Sequence, residues 1–136
     1  RDALLRAIDQ LRREGDRGFL VMGLTALAAT EQALGRDPEP ILVEALEEGV
    51  RSRLPPTWYA GVLVQLAACR IEAGDVADAA RLLLAVDPSD LVLPDQQAAH
   101  ARGIAVIEAR IGSDELAAAA RDAAALRDDP RTLLSS

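Results

Sequence analysis

Apolar residues recur along this chain at helical spacing, in seven stretches punctuated by glycine and proline. In the first, from about Asp2 to Glu14, Leu4, Leu5, Ile8 and Leu11 share one face. Asp2/Arg6 and Asp9/Arg13 stand four apart, the spacing of favourable ion pairs on a helix. Gly15-Asp16 ends this stretch. A second, from about Arg17 to Leu34, stops at Gly35, a residue type that closes helices in the left-handed conformation. Asp37-Pro38 supplies an N-cap followed by proline at the first helical position, and opens a third helix to about Arg53. Pro55-Pro56 breaks the chain, and Thr57 can cap a fourth helix to Ala73. Gly74-Asp75 opens a fifth to about Val86. Asp87-Pro88 and Pro94 bracket a loop, Asp95 caps a sixth helix to Ile111, and Gly112-Ser113 turns into a seventh ending near Asp129-Pro130. The pattern predicts an all-α fold of about seven helices. The second, fourth and sixth are apolar on most faces and are expected to be covered on more than one side. The third, fifth and seventh are amphipathic, with Glu44, Glu47, Glu48, Arg81, Arg121 and Asp122 available for the wet side. Two stacked layers would produce this alternation.

Composition narrows the picture. A length of 136 residues is that of one domain or a slice of a larger protein. The 27 alanines, with only Phe19, Trp58 and Tyr59 as aromatics, argue against a β-sandwich or barrel. The net charge of -7 argues against a nucleic-acid surface, which needs clustered positive charge. All 15 basic residues are arginine, and this lysine-free, alanine-rich usage resembles that of a bacterial gene rich in G and C. A single cysteine, Cys69, excludes an internal disulfide and a multi-thiolate metal site. The uncharged run Gly18 to Thr30 is shorter than the roughly 20 apolar residues that span a bilayer. The run Leu54 to Cys69 opens on two prolines and contains Gln65. Both read as buried helices of a soluble, cytoplasmic protein. The chain does not begin with Met and its first residues are already helical, so it reads as a fragment or a processed chain.

The stops at Gly35, Gly74 and Gly112 are 39 and 38 residues apart. Eight residues before each stand Leu27, Leu66 and Ile104; seven before, Ala28, Ala67 and Ala105; eleven before, Leu24, Leu63 and Ala101. A large apolar residue followed by a small one, at a fixed distance from a turn glycine, lets a second helix approach closely at the small position. Periods between about 20 and 50 residues mark solenoids, in which each helical pair buries its face only against its neighbours. An ordinary helical bundle, with the register arising by chance, is the other arrangement open to such helices.

The stretch LVQLAACRIEAGDVADAARLLLAVDPSD resembles a tetratricopeptide repeat, with Leu63, Leu66, Ala67, Gly74, Asp75, Ala79 and Leu83 at the motif's large, small and turn positions. The resemblance extends over residues 18–130 as three helical pairs, at about 18–56, 57–94 and 95–130, with the first helix left over from a preceding pair. Arg70 stands where the motif usually has tyrosine, Asp87-Pro88 comes three residues early, and the first pair carries the extra RDPEP connection. The longer period is similar to that of helical-repeat regions in large bacterial regulators, of the maltose-regulon activator type, the LuxR type and signal-transduction ATPases. The resemblance implies a right-handed α-solenoid of antiparallel helix pairs in which the first helix of each pair lines a concave surface. Carried onto this sequence, that surface takes Thr25, Ala29 and Gln32 from the first pair, Val64, Ala68 and Ile71 from the second, and Arg102, Val106 and Arg110 from the third. Mostly small and apolar with two arginines at one end, it suits an extended or helical peptide with an acidic group. Pairing of those arginines with Glu108 or with other domains is the other reading, equally open.

Catalytic chemistry is not expected, and neither a cofactor nor a metal is implied. His100 is the only histidine and has no Ser, Cys or Asp at recognisable spacing; it reads as a surface or partly packed residue. Cys69 lies on an apolar helix, where burial is commoner than the electropositive, accessible setting of a reactive thiolate. No phosphate-binding glycine loop is present. The acidic groups Glu44 to Glu48 and Asp128-Asp129 lack metal-ligand spacing and read as solvated faces and helix ends. Arg12, Arg13 and Arg17 sit near a helix C-terminus, where the dipole favours cations. Trp58 and Tyr59 stand together after Pro55-Pro56-Thr57, either as a hydrophobic plug between repeats or as an aromatic anchor for a partner. The expected function is therefore that of an interaction module, holding a protein or peptide segment or another domain of its own chain. The other reading is a sensor segment of a large transcriptional regulator, binding a small-molecule effector.

Overall fold

The computed structural model describes residues 1–135. It is all-helical: 81% of it is helix, with seven α-helices and no strand among the described residues. The helices are α1 (Asp2–Glu14), α2 (Arg17–Ala33), α3 (Glu39–Arg51), α4 (Ala60–Glu72), α5 (Val76–Leu84), α6 (Pro94–Arg110) and α7 (Ser113–Asp128). Short 3-10 turns occupy Pro56–Trp58, Pro88–Asp90 and Pro130–Ser135. The chain divides into two compact units, Arg1–Val62 and Leu63–Ser136, with the boundary inside α4.

The ends of α1, α2 and α4 follow from backbone chemistry. Gly15, Gly35 and Gly74 have φ of 74, 76 and 87°, the left-handed region open to glycine without strain. Each closes its helix with a Schellman pair of hydrogen bonds; at α2 the Gly35 N–H donates to Gln32 O (3.0 Å) and the Arg36 N–H to Glu31 O (2.9 Å). The residue after two of these glycines starts the next helix. Asp16 accepts from the Phe19 N–H (3.2 Å) and Asp75 from the Asp78 N–H (3.1 Å), so Gly-Asp is a complete helix-to-helix turn in both places. α3 ends in the same motif on a non-glycine residue. Arg53, at φ 55°, donates from its N–H to Val50 O, and the Leu54 N–H reaches Gly49 O. A side chain held there is strained, so Arg53→Gly is expected to stabilise the protein by about 0.5–1 kcal/mol. A urea midpoint that stays in place would show that the αL strain is absent.

Four boundaries differ from the sequence reading; the first is the start of α3, where Pro38 is the N-cap without a side-chain cap bond and Asp37 stands one residue outside it, accepting from the Glu39 N–H (3.0 Å). Thr57 lies inside a 3-10 turn and α4 begins only at Ala60: Pro56 keeps Pro55 in extended backbone (ψ 148°), and the chain passes through the Pro56–Trp58 turn before the helix starts. α6 starts at Pro94 with Leu93 as its N-cap, and Asp95 adds its charge to the first turn instead of capping. Gly112 has φ -77° and serves as the extended N-cap of α7, so it is not the counterpart of Gly35 and Gly74.

Within the first unit, α2 packs against α1 and α3, burying Ile8, Leu20, Leu24, Leu42, Ala45 and Leu46. Acidic residues of α3 tie it to its neighbours: Glu44 accepts from Arg12 of α1, and Glu48 lies 3.4 Å from Arg17 of α2. Asp9 is paired with Arg12, three residues on, instead of with Arg13. Within the second unit, α5 packs against α6 and α7 around Ala79, Leu82, Leu83, Ile107, Ala123 and Leu126. α5 is only nine residues long, and side chains close its end. His100 Nε2 donates to Leu83 O (3.1 Å) and Arg127 Nη2 to Leu84 O (3.0 Å). The following loop is held by Gln97, which donates to Leu91 O at 2.7 Å.

The expectation that α2, α4 and α6 are covered on most sides holds best for α4, where residues 60–64 are all buried. Of α6 only Ile107 is fully buried, and Ala101, Arg102 and Ala105 are exposed. α6 carries Gln, Arg and Glu between its alanines, so less of its surface gains by leaving water.

Candidate functional site

The aromatic pair after the double proline divides into two roles. Tyr59 is 5% exposed. Its ring lies on Gly49 of α3, where a Cβ would come within 3.0 Å of Tyr59 Cδ1. Trp58 covers Gly18 of α2, where a Cβ would meet its ring at 3.0 Å, and it receives Phe19 edge-on, with centroids 6.0 Å apart and planes at 77°. Two glycines, one on each of two helices, thus make room for two adjacent rings. Tyr59 belongs to the core and leaves Trp58 as the member of the pair with solvent access.

The remaining residues assigned to a concave surface fall in different settings. Thr25 is half-buried and its hydroxyl donates to Val21 O at 2.7 Å, while Ala29 and Gln32 of the same helix are exposed. Val64 is buried with the rest of residues 59–64 and lines no open surface. Ile71 and Val106 are half-buried, and Ala68 is exposed. Arg102 and Arg110 are exposed on α6, eight residues or about 12 Å apart along the helix. Neither makes an ion pair among the described residues, so the alternative of pairing with Glu108 is not found there.

Two ionic groups occupy equivalent places four residues before a turn glycine. Glu31 is 6% exposed, on the inward line of α2 with Leu20, Leu24 and Leu27. It accepts from Arg1 Nε at 2.5 Å and from Arg36 Nη1 at 3.2 Å. Arg70 of α4 donates to Asp78 of α5 (3.1 Å), and Asp78 also accepts from Arg81 (2.6 Å). The hydrogen bond from Arg1 holds the Glu31 carboxyl below the usual carboxylate range; burial opposes this, and Arg36 reinforces it. A depressed folded-state value means stability that is present above the ordinary carboxylate pKa and lost as pH falls through the folded one. Asp87 has the same sign, since the Ser89 N–H (3.0 Å) and hydroxyl (2.8 Å) donate to it. Glu31→Gln is therefore expected to flatten the acid limb of stability in urea titrations from about pH 6 to about pH 3, with the Asp87 part remaining. An unaltered slope would refute the ionic role of Glu31.

His100, engaged with the end of α5, has a packing role that accounts for its position. Among the described residues no cluster of three or more His, Cys, Asp or Glu is disposed to hold a metal ion, and no helix is long and apolar enough to cross a membrane. The sequence reading passed over Phe19 and Met22, which are 53% and 52% exposed on α2. The available signal was that Glu31 is the only charged residue from Gly18 to Gly35, and its spacing from Leu20, Leu24 and Leu27 turns it inward. Comparison with known proteins finds no matching family model, no matching curated protein and no matching solved structure.

Proposed function

We propose that the chain is a non-catalytic helical-repeat module that holds an acidic protein segment, with α2/α3, α4/α5 and α6/α7 as tetratricopeptide-like helix pairs of a solenoid. The observation that carries this reading is the pair of exposed arginines on α6. Arg102 and Arg110 stand two turns apart with alanine between and beside them, and no described acidic partner. Guanidinium groups so placed give charge-assisted, bidentate hydrogen bonds to carboxylates on one bound segment, and the alanines let its backbone come close. The two early glycine turns and the shared small positions Ala28 and Ala67, both fully buried, support the repeat reading.

The test is fluorescence anisotropy with labelled acidic peptides, comparing wild type with Arg102→Glu and Arg110→Glu. Each reversal is expected to weaken binding at least about tenfold, the scale of one charged hydrogen bond, while thermal unfolding is unchanged because both residues are exposed. Equal affinity for all three proteins would discard the α6 face as the binding surface.

A further inference from the structure

α1 is held more lightly than the other helices of its unit. Of its 13 residues only Ile8 is fully buried, and Leu4, Leu5 and Leu11 are half-buried. Ile8 fits a notch at Gly23 of α2, where a Cβ would come within 3.2 Å of Ile8 Cγ1. α3, of the same length, buries Leu42, Ala45, Leu46, Gly49 and Val50. The rest of the attachment of α1 is ionic, with one tie near each end. Arg1, its N-cap, donates from Nε to Glu31 of α2 (2.5 Å), and Arg12, in its last turn, donates to Glu44 of α3. The second tie lies at the surface, where such pairs contribute little. The first engages a buried carboxylate, which depends on its partners to stay ionised.

We infer that α1 is a strap that leaves α2 as a unit while α2 and α3 stay folded, and that the ionised carboxylate of Glu31 is the catch that holds it. The surroundings of the strap permit the opening. Gly15, at φ 74°, has nothing within 4 Å of the place a Cβ would take, so the turn swings without disturbing packed side chains. Asp16 caps α2 with its own carboxylate, and Arg17 stays tied to Glu48 of α3, so α2 keeps its start and its partner when α1 leaves. Glu31 keeps Arg36, from the turn after α2, and is not orphaned by the loss of Arg1. The catch also responds to protons. The charges that face Glu31 are Arg1, from α1, and Arg36; α3 sets none against it among the described residues. Protonation leaves Arg1 facing a neutral acid, and the charge-assisted bond is lost. The bond from Arg1 lowers the Glu31 carboxyl in the docked form alone, so protons favour the open form. Docking is at full strength above the ordinary carboxylate range and weakens as pH falls through the docked value. Opening uncovers Gly23 and the side of α2 that receives Ile8 and Leu11. The strap does not rest on the arginines of α6, which lie in the other unit.

The experiment is native-state hydrogen exchange of the whole chain, followed amide by amide by NMR from about pH 7 to about pH 4 and corrected for intrinsic rates. The amides of Ile8 to Arg12 are the ones to read, because fraying of the first turn leaves them protected. In the wild type their protection is expected to fall at least about tenfold more than that of the α2 and α3 amides, the scale of one charged hydrogen bond. Arg1→Gln removes the strap's half of the catch at an exposed position, so the fold is not at stake. It is expected to lower the protection of the same amides at neutral pH by a similar factor and to remove most of their pH dependence. Arg36→Gln removes the partner outside α1 and is expected to keep that pH dependence. Amides of α1 that exchange only together with those of α2 and α3, or an Arg1→Gln variant with wild-type protection, would overturn the inference.

Discussion

Tyr59→Ala is expected to destabilise the protein by about 3–5 kcal/mol, the range for removing a buried aromatic ring. The size follows from how the ring is held. Gly49 brings the α3 backbone against it, so that even a Cβ would lie 3.0 Å from Cδ1 and 3.3 Å from the Tyr59 Cβ. Backbone already in contact cannot move inward to fill the space the ring leaves, and the cavity term persists. Trp58→Ala is expected to cost less, because Trp58 is half-buried and its contact with Phe19 is at a surface. Against a total of roughly 5–15 kcal/mol for a domain, the tyrosine variant loses a large share of its stability. Urea midpoints at constant m-value measure both variants. A tyrosine variant no less stable than the tryptophan one would mean that the core does not depend on the buried ring.

The helices were legible because their ends depend on local chemistry. Gly15, Gly35 and Gly74 adopt positive φ, which almost no other residue does cheaply, and the aspartates after Gly15 and Gly74 cap the helices that follow. The end of α3 could be read only as a break at the prolines, since Arg53 gives no sign of the left-handed conformation it takes. Ionic contacts between helices were out of reach. Glu44 and Glu48 look like members of a solvated acidic face, and only the packing of α3 beside α1 and α2 shows that they meet Arg12 and Arg17. The third member of the repeat alignment misled for a compositional reason. α6 has alanine at positions 98, 99, 101, 105 and 109, so a small residue at a required offset carries little information there. Ala105, aligned with the fully buried Ala28 and Ala67, is exposed. The arginines of α6 and the exposed side of α2 are surface features, and a single sequence gives no measure of which surface is used.

The close approach of α6 to α5 occurs instead at Gly103, and this gives the second large effect. Leu83, fully buried, sends its side chain over Gly103, where a Cβ would lie 2.7 Å from Leu83 Cδ1. Leu83→Ala is expected to cost about 2–5 kcal/mol, from lost transfer energy and the cavity left behind. The backbone carbonyl of Leu83 that accepts from His100 is untouched, so the side chain is tested alone. Gly103→Ala in the wild type forces the leucine aside at about 1–3 kcal/mol, partly offset by the roughly 1 kcal/mol that alanine gains over glycine within a helix. In the Leu83→Ala background the obstacle is gone, and the new methyl group enters the vacated space. There the same substitution is expected to stabilise by about 1 kcal/mol, so its effect reverses sign between the two backgrounds. The double-mutant cycle should give a coupling of about 0.5–3 kcal/mol, as residues in direct contact do. Additive effects would place Gly103 and Leu83 out of contact and return the small position of the third helix pair to Ala105.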